Sequence, residues 1–323
     1  MQISRRFLIS SLAAMTLAPR VASAQAPRDT AVVDPRTGRR IRLRIRLPEG
    51  EAKAPLLLYS PGLGSGISNG AAWCEAWARA GFVVVTMAHP VTDDSLWDTS
   101  RASLSDNLGR ALAGGQYAAR VADTQFVIGR CLDAAALGLA GRIDAERIGV
   151  AGHSYGAITV QALAVEAAKA KGGARVRAVI ALSPGVITPA NAAAMGAVRL
   201  PFLCVTGEQD NFVTFSKGGH ARRLGVPLAN RLAVYEALPR GQKELLLLAR
   251  ADHMTFAGEL VDARLFSRDV PSKAENESAW ARVSAATTAF WRFHLGGDAR
   301  PPREAYAAEV RAKLGPRDRF EVG

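Results

Sequence analysis

Short, nearly continuous runs of Val, Ile, Leu and Ala recur along the chain, and longer segments with apolar residues at helical spacing lie between them. Runs of the first kind suit strands buried on both faces, and segments of the second kind supply the helices that cover them. "APLLLYSPG" predicts a strand entering a Gly-rich loop, and "AAWCEAWARAG" a helix closed by Gly81. "FVVVTMAHP" reads as a second buried strand, and "QYAARVADTQFVIGRCLDAAAL" as a helix. "RIGVAGHS" is a third strand, running straight into a helix from about Tyr155 to Lys171. "VRAVIALSPG", "LPFLCVTGEQD" and "KELLLLARADH" predict three more strands, and a last helix spans roughly Ser278–His294. Residues 91–115 read as a long connection, and the Arg- and Pro-rich tail as loosely packed chain.

Two β-like segments precede these, near Ala31–Asp34 and Arg39–Pro48. In the second, Ile41, Leu43, Ile45 and Leu47 alternate with Arg40, Arg42, Arg44 and Arg46, the period of a half-buried strand with a solvated basic face. Strands interleaved with helices predict an α/β fold with a mostly parallel, doubly wound sheet. In such sheets ligands bind beyond the carboxyl ends of the strands, so the residues just after each strand carry the functional question.

Composition narrows the class without changing it. The chain has 323 residues, of which 49% are hydrophobic and 22% charged, an ordinary globular balance with length enough for a large core. With no repeat or low-complexity linker, residues 25–323 are expected to form one domain. The start, "MQISRRFLISSLAAMTLAPRVASAQAP", has a basic head, an apolar stretch from Phe7 to Leu17 and a small-residue site at Ala22-Ser23-Ala24. These are the parts of an export signal over residues 1–24, and they predict a periplasmic or secreted protein. Arg5 and Arg6 make the signal twin-arginine-like, although no residue separates the pair from Phe7-Leu8. The apolar stretch is too short to span a bilayer. Losing Arg5, Arg6 and Arg20 with the signal would take the formal charge from +12 to +9. The remaining basic residues are dispersed, so no nucleic-acid partner is expected. Cys74, Cys131 and Cys204 carry no metal or redox spacing. Cys204 reads as a small buried hydrophobe, and a Cys74–Cys131 disulfide stays open.

The chemistry concentrates in "GVAGHSYGA". Gly152-His153-Ser154-Tyr155-Gly156 is G-x-S-x-G, directly after a strand and directly before a helix, the setting of a nucleophile elbow. A serine needs a base to act as a nucleophile, and the base needs an acid to orient it. At such elbows the acid and the histidine follow the serine in that order, each after a later strand. Asp210 ends "PFLCVTGEQD" and His253 ends "ELLLLARADH". Glu208 and Asp252 are the competing acids. Of the other histidines, His89 precedes the serine, His153 lies inside the elbow, His220 falls in a Gly-rich loop and His294 in the last helix. An oxyanion hole would take one N–H from Tyr155 and one from Leu63, in "Pro61-Gly62-Leu63-Gly64".

From about Arg39 to Leu295 these residues resemble the α/β-hydrolase superfamily, and Gly207-Glu208-Gln209-Asp210 resembles its G-x-x-D acid turn. "YSPGLGS", "GRIDAERIGVAGHSYGA", "ALSPG" and "ARADHMTFAGE" together resemble the bacterial predicted dienelactone-hydrolase group, related to platelet-activating-factor acetylhydrolases, chlorophyllases and some polyester hydrolases. The resemblance implies a serine carboxylic-ester hydrolase acting on a small-molecule or lipid-like ester, without metal or organic cofactor. True dienelactone hydrolases use a cysteine nucleophile where this chain has Ser154, so opening of a dienelactone ring is not expected. Val186 to Leu200 leaves room for one short helix and for no large cap domain. Any cover over the site is expected from residues 91–115, with Trp97 and Leu104 as an acyl wall. Two other readings of the same residues are an exopeptidase or amidase, and a catalytically silent binding protein.

Overall fold

The computed structural model describes residues 24–323, apart from 134–135, 171–174, 186–188, 218–219 and 260–271. Residues 1–23 of the expected export signal therefore lie outside the described residues. In chain order the strands and helices are β1 (Arg28–Val33), β2 (Arg40–Arg46), β3 (Ala54–Ser60), α1 (Ala71–Arg79) and β4 (Val83–Ala88). Next come α2 (Leu104–Ala111), α3 (Gly114–Leu132), β5 (Ile143–His153), α4 (Tyr155–Lys169), β6 (Val176–Leu182) and α5 (Pro189–Met195). The chain continues with β7 (Phe202–Gln209), β8 (Phe212–Lys217), β9 (His220–Gly225), α6 (Leu228–Ala237) and β10 (Lys243–Asp252). It ends with α7 (Lys273–Leu295), α8 (Arg303–Arg311) and β11 (Arg319–Val322).

Among the described residues, nine strands form one sheet in the order β1-β2-β4-β3-β5-β6-β7-β10-β11. The stretch from β4 to β10 is parallel, as the unbroken apolar runs predict, while β1, β2 and β11 run antiparallel to their neighbours. Both faces are covered. Val121, Val127, Val160, Leu163, Met195 and Val234, from α3 to α6, pack on one. Trp73, Trp77, Phe290 and Trp291, from α1 and α7, pack on the other. Strand order reverses between β3 and β5, so the loops that leave these neighbouring strands diverge and open a crevice there. Between β6 and β7 the described residues hold α5 and no inserted cap.

Four expectations need correction. The tail is packed, not loose: β11 pairs with β10, and Tyr306 and Phe320 are buried against α7 and the sheet. Residues 91–115 hold a 3₁₀ turn over Asp94–Trp97 and then α2, which Ser103 and Asp106 close with a reciprocal capping box. His220 opens strand β9 of a β8–β9 hairpin and is not in a loop. The basic residues in and just before β2 are largely paired and in part buried: Arg39 meets Asp123, Arg42 meets Asp93 and Asp94, and Arg44 meets Asp29. Arg46 on that strand is buried, with Nη1 donating to Thr86 Oγ1. All three cysteines are free and buried, so Cys74 and Cys131 do not pair.

Candidate functional site

Ser154 sits between β5 and α4 at φ 55°, ψ −115°, a left-handed backbone that non-glycine residues adopt at a cost of about 1–3 kcal/mol. The turn is this tight because β5 and α4 meet with almost no connecting chain. A Cβ on Gly152 would come within 2.3 Å of the Gly156 carbonyl oxygen, and one on Gly156 within 1.8 Å of the Ser60 carbonyl oxygen. Only glycine allows both approaches. The strain lifts Ser154, partly exposed, to the N-terminus of a 15-residue helix, where developing negative charge is favoured.

The ends of the neighbouring strands are level. Ser60 pairs with Gly152, His153 with Leu182, Leu182 with Val205, and Gln209 with Asp252. Their loops therefore leave one rim of the sheet. On β10 the register slips between Leu248 and Asp252, and Arg250 takes φ 61°, so this strand spends extra residues before it ends. The bulge delivers His253 to the rim. His253 Nε2 lies 2.9 Å from Ser154 Oγ, and His253 Nδ1 lies 3.0 Å from Asp210 Oδ1. Ser154 Oγ–H donates to Nε2 when Nδ1–H donates to the carboxylate.

Asp210 is fully buried, and its second oxygen accepts from Ser183 Oγ at 2.6 Å and Thr206 Oγ1 at 2.9 Å. Arg231, on α6 and also buried, places Nε 2.7 Å from Asp210 Oδ1 and donates Nη1 to the Ser183 and Pro184 carbonyls. Its Nη2 stands 3.1 Å from His253 Nδ1, a close approach of a cation to the ring when that nitrogen carries its own proton. Burial pulls the Arg231 pKa down. Ser183, Thr206 and Arg231 escaped the reading of the sequence. An arginine in a short amphipathic helix has the signature of a surface residue, and α6 itself had no strong periodic signal.

The loop after β3 passes over the serine. A Cβ on Gly62 would lie 3.5 Å from the Ser154 Cβ. Among the described residues neither the Leu63 nor the Tyr155 N–H has a hydrogen-bond acceptor. Trp97, expected as part of an acyl wall, packs on this loop: its Nε1–H donates to the Gly64 carbonyl at 2.7 Å and its ring fills the space a Gly64 side chain would need.

The competing acids are placed elsewhere. Glu208 is exposed, and Asp252 accepts from the Thr255 N–H and hydroxyl. His153 donates Nε2–H to the His253 carbonyl, and burial holds it neutral, with its pKa well below the usual histidine range. His294 meets Glu244, which also accepts from the Tyr306 hydroxyl. His89 belongs to a second Ser–His–Asp line, unforeseen in the sequence: Ser60 Oγ lies 2.9 Å from His89 Nε2, and His89 Nδ1 lies 3.1 Å from Asp123 Oδ2. All three residues are buried.

Among the described residues no cluster of three or more His, Cys, Asp or Glu side chains is arranged to hold a metal ion. None of the described helices is long and apolar enough to cross a membrane. No protein-family model matches the chain, and no curated protein matches its sequence. Among solved structures the chain is similar to a ferulic acid esterase from Streptomyces cinnamoneus. The TM-score is 0.60 and the identity 20%, with 88% of this chain and 93% of that chain covered. At that identity the likeness speaks to the fold alone. Together with the strand order and the strand–elbow–helix at Ser154, it makes this an α/β-hydrolase fold without a large cap among the described residues.

Proposed function

We propose that the protein is an exported serine hydrolase of carboxylic esters. The observation that carries this reading is the approach of His253 Nε2 to within 2.9 Å of the hydroxyl of a serine held in strained backbone at a strand end. Ser154 attacks the acyl carbon while His253 takes its proton, and Asp210 fixes the tautomer and balances the imidazolium. The N–H groups of Leu63 and Tyr155 receive the oxyanion. His253 returns the proton to the leaving alcohol, then takes a proton from the water that attacks the acyl-enzyme and gives it to Ser154 Oγ as the acid leaves. A silent binding protein has no use for a strained serine hydrogen-bonded to an imidazole. The kinship with the dienelactone-hydrolase and acetylhydrolase group rests on the sequence motifs, and export rests on residues 1–24.

The test is a chain-length series of p-nitrophenyl esters, with a feruloyl ester and aminoacyl nitroanilides beside it, on wild type and Ser154→Ala. Ester turnover exceeding anilide turnover, and falling by about 10⁴-fold or more in the variant, is the expected result. Preferred cleavage of the anilides would make the protein an amidase, and turnover retained in Ser154→Ala would remove the serine from the mechanism.

A further inference from the structure

The two N–H groups assigned to the oxyanion sit on separate elements, one on the loop after β3 and one at the start of α4. Leu63 is flanked by Gly62 and Gly64, so its N–H direction is poorly determined by its own backbone. Something must hold the loop against the helix. Arg120, from α3, lies between them with 1% of its surface exposed.

Its guanidinium makes contacts on both sides. On the loop side, Nη2 donates to the Pro61 carbonyl at 2.5 Å and to Ser60 Oγ at 3.1 Å. Nη1 donates to Thr92 Oγ1 at 2.6 Å, and the Thr92 carbonyl accepts the Gly64 N–H at 2.8 Å. Both flanks of Leu63 are thereby tied to one side chain. On the helix side, Nε donates to Thr159 Oγ1 at 3.0 Å, and that hydroxyl donates on to the Tyr155 carbonyl at 2.9 Å. The guanidinium carbon also stands 4.6 Å from the centre of the Tyr155 ring.

Among the described residues its four hydrogen-bond acceptors are neutral oxygens, and Asp123 and Asp93 offset its burial only from beyond contact. Burial pushes its pKa down to about 9, which leaves it charged at neutral pH. The Ser60–His89–Asp123 line continues the support: Ser60 accepts from Arg120 and its O–H donates to His89 Nε2, while His89 Nδ1–H donates to Asp123, itself held by Arg39. Val91, a β-branched residue at φ 74°, turns the chain just before Thr92 in strained backbone.

We propose, resting on the ester-hydrolase reading, that Arg120 is a positioning residue that holds the Leu63 and Tyr155 N–H groups in register around one oxyanion. No other side chain offers a planar fork of five donors from a single point, and this site uses the fork in three directions.

The experiment compares kcat, KM and the Ki of an aryl trifluoromethyl ketone, whose serine adduct carries an oxyanion, in wild type, Arg120→Met, Arg120→Lys and Thr159→Val. In Arg120→Met, kcat is expected to fall about 10²-fold and the ketone to weaken by the same factor, with KM little changed. Lysine recovers only part of the loss. Thr159→Val keeps the arginine and breaks its link to α4, and loses about tenfold in both quantities; it decides the matter if Arg120→Met does not fold. Ser154→Ala is assayed alongside. Unchanged kcat and Ki in the folded variants, beside an inactive Ser154→Ala, overturn the proposal and leave the site reading standing. A fall in kcat without weaker ketone binding also overturns it. Turnover retained in Ser154→Ala overturns both.

Discussion

Two Ser–His–Asp lines run through this molecule with nearly the same spacing. Ser154–His253–Asp210 has contacts of 2.9 and 3.0 Å, and Ser60–His89–Asp123 has contacts of 2.9 and 3.1 Å. Each acid also faces an arginine, Arg231 in the first line and Arg39 in the second. What separates them is backbone and access. Ser154 stands at φ 55° on a partly exposed elbow, whereas Ser60 is an ordinary member of β3, paired with Gly152 and 1% exposed. The Ser60 oxygen already accepts from Arg120, and no acyl group can reach it. Hydrogen-bond distances alone therefore do not make a nucleophile. What the proposed nucleophile has and Ser60 lacks is strain that lifts the hydroxyl out of the strand, and partial exposure.

The difference can be broken most sharply at the acids. Asp210→Asn should lower kcat on an ester by about 10⁴-fold while the protein stays folded, because the imidazole loses its oriented tautomer. Asp123→Asn should do the reverse. Arg39 and His89 would lose a buried partner, costing about 3–5 kcal/mol in a urea melt, with a much smaller loss of turnover in the folded protein.

Acid should find the buried line next. Burial, with Arg120 nearby, pulls the His89 pKa from 6.5 down to about 4, so the folded state prefers the neutral ring. Between those values the unfolded chain binds more protons, and stability falls as pH drops through this window, by about 3 kcal/mol from this group. His153, likewise depressed by burial, adds to the loss. The urea midpoint should drop between pH 7 and pH 4.5, and less steeply in His89→Gln; an equal slope in the variant would assign the sensitivity elsewhere.

The smallest effect concerns Arg231. Arg231→Met should reduce kcat by about tenfold, since Ser183 and Thr206 still hold the other oxygen of Asp210. A loss as large as that of Asp210→Asn would mean that the arginine, not the hydroxyls, holds the acid in place.

How much of this was legible in the sequence follows from how local each signal is. The parallel strands could be read because each is a continuous apolar run bounded by turn residues. Ser154, Asp210 and His253 could be read because each ends such a run, and their convergence needs only that the ends be level. The buried line could not. Ser60, His89 and Asp123 come from β3, the end of β4 and α3, and their meeting depends on β4 lying beside β3 with α3 packed on β3. Asp123 on its own looks like a solvent-facing position of an amphipathic helix. Arg120 and Arg231 were hidden for the same reason, since burying a cation inside a helix interface contradicts the prior for arginine. The β8–β9 hairpin, α6 and the closing strand β11 are short, and short elements carry little periodicity. The bulge in β10 leaves no mark in "LLLLARADH" beyond an arginine where φ turns positive.

The most direct test of the central claim is where a serine-directed fluorophosphonate reacts. Wild-type protein, folded at pH 7.5, should gain one adduct by intact mass, mapped after proteolysis to the peptide containing Ser154 and absent from Ser154→Ala. An adduct on Ser60, or no adduct on the folded wild type, would contradict the account.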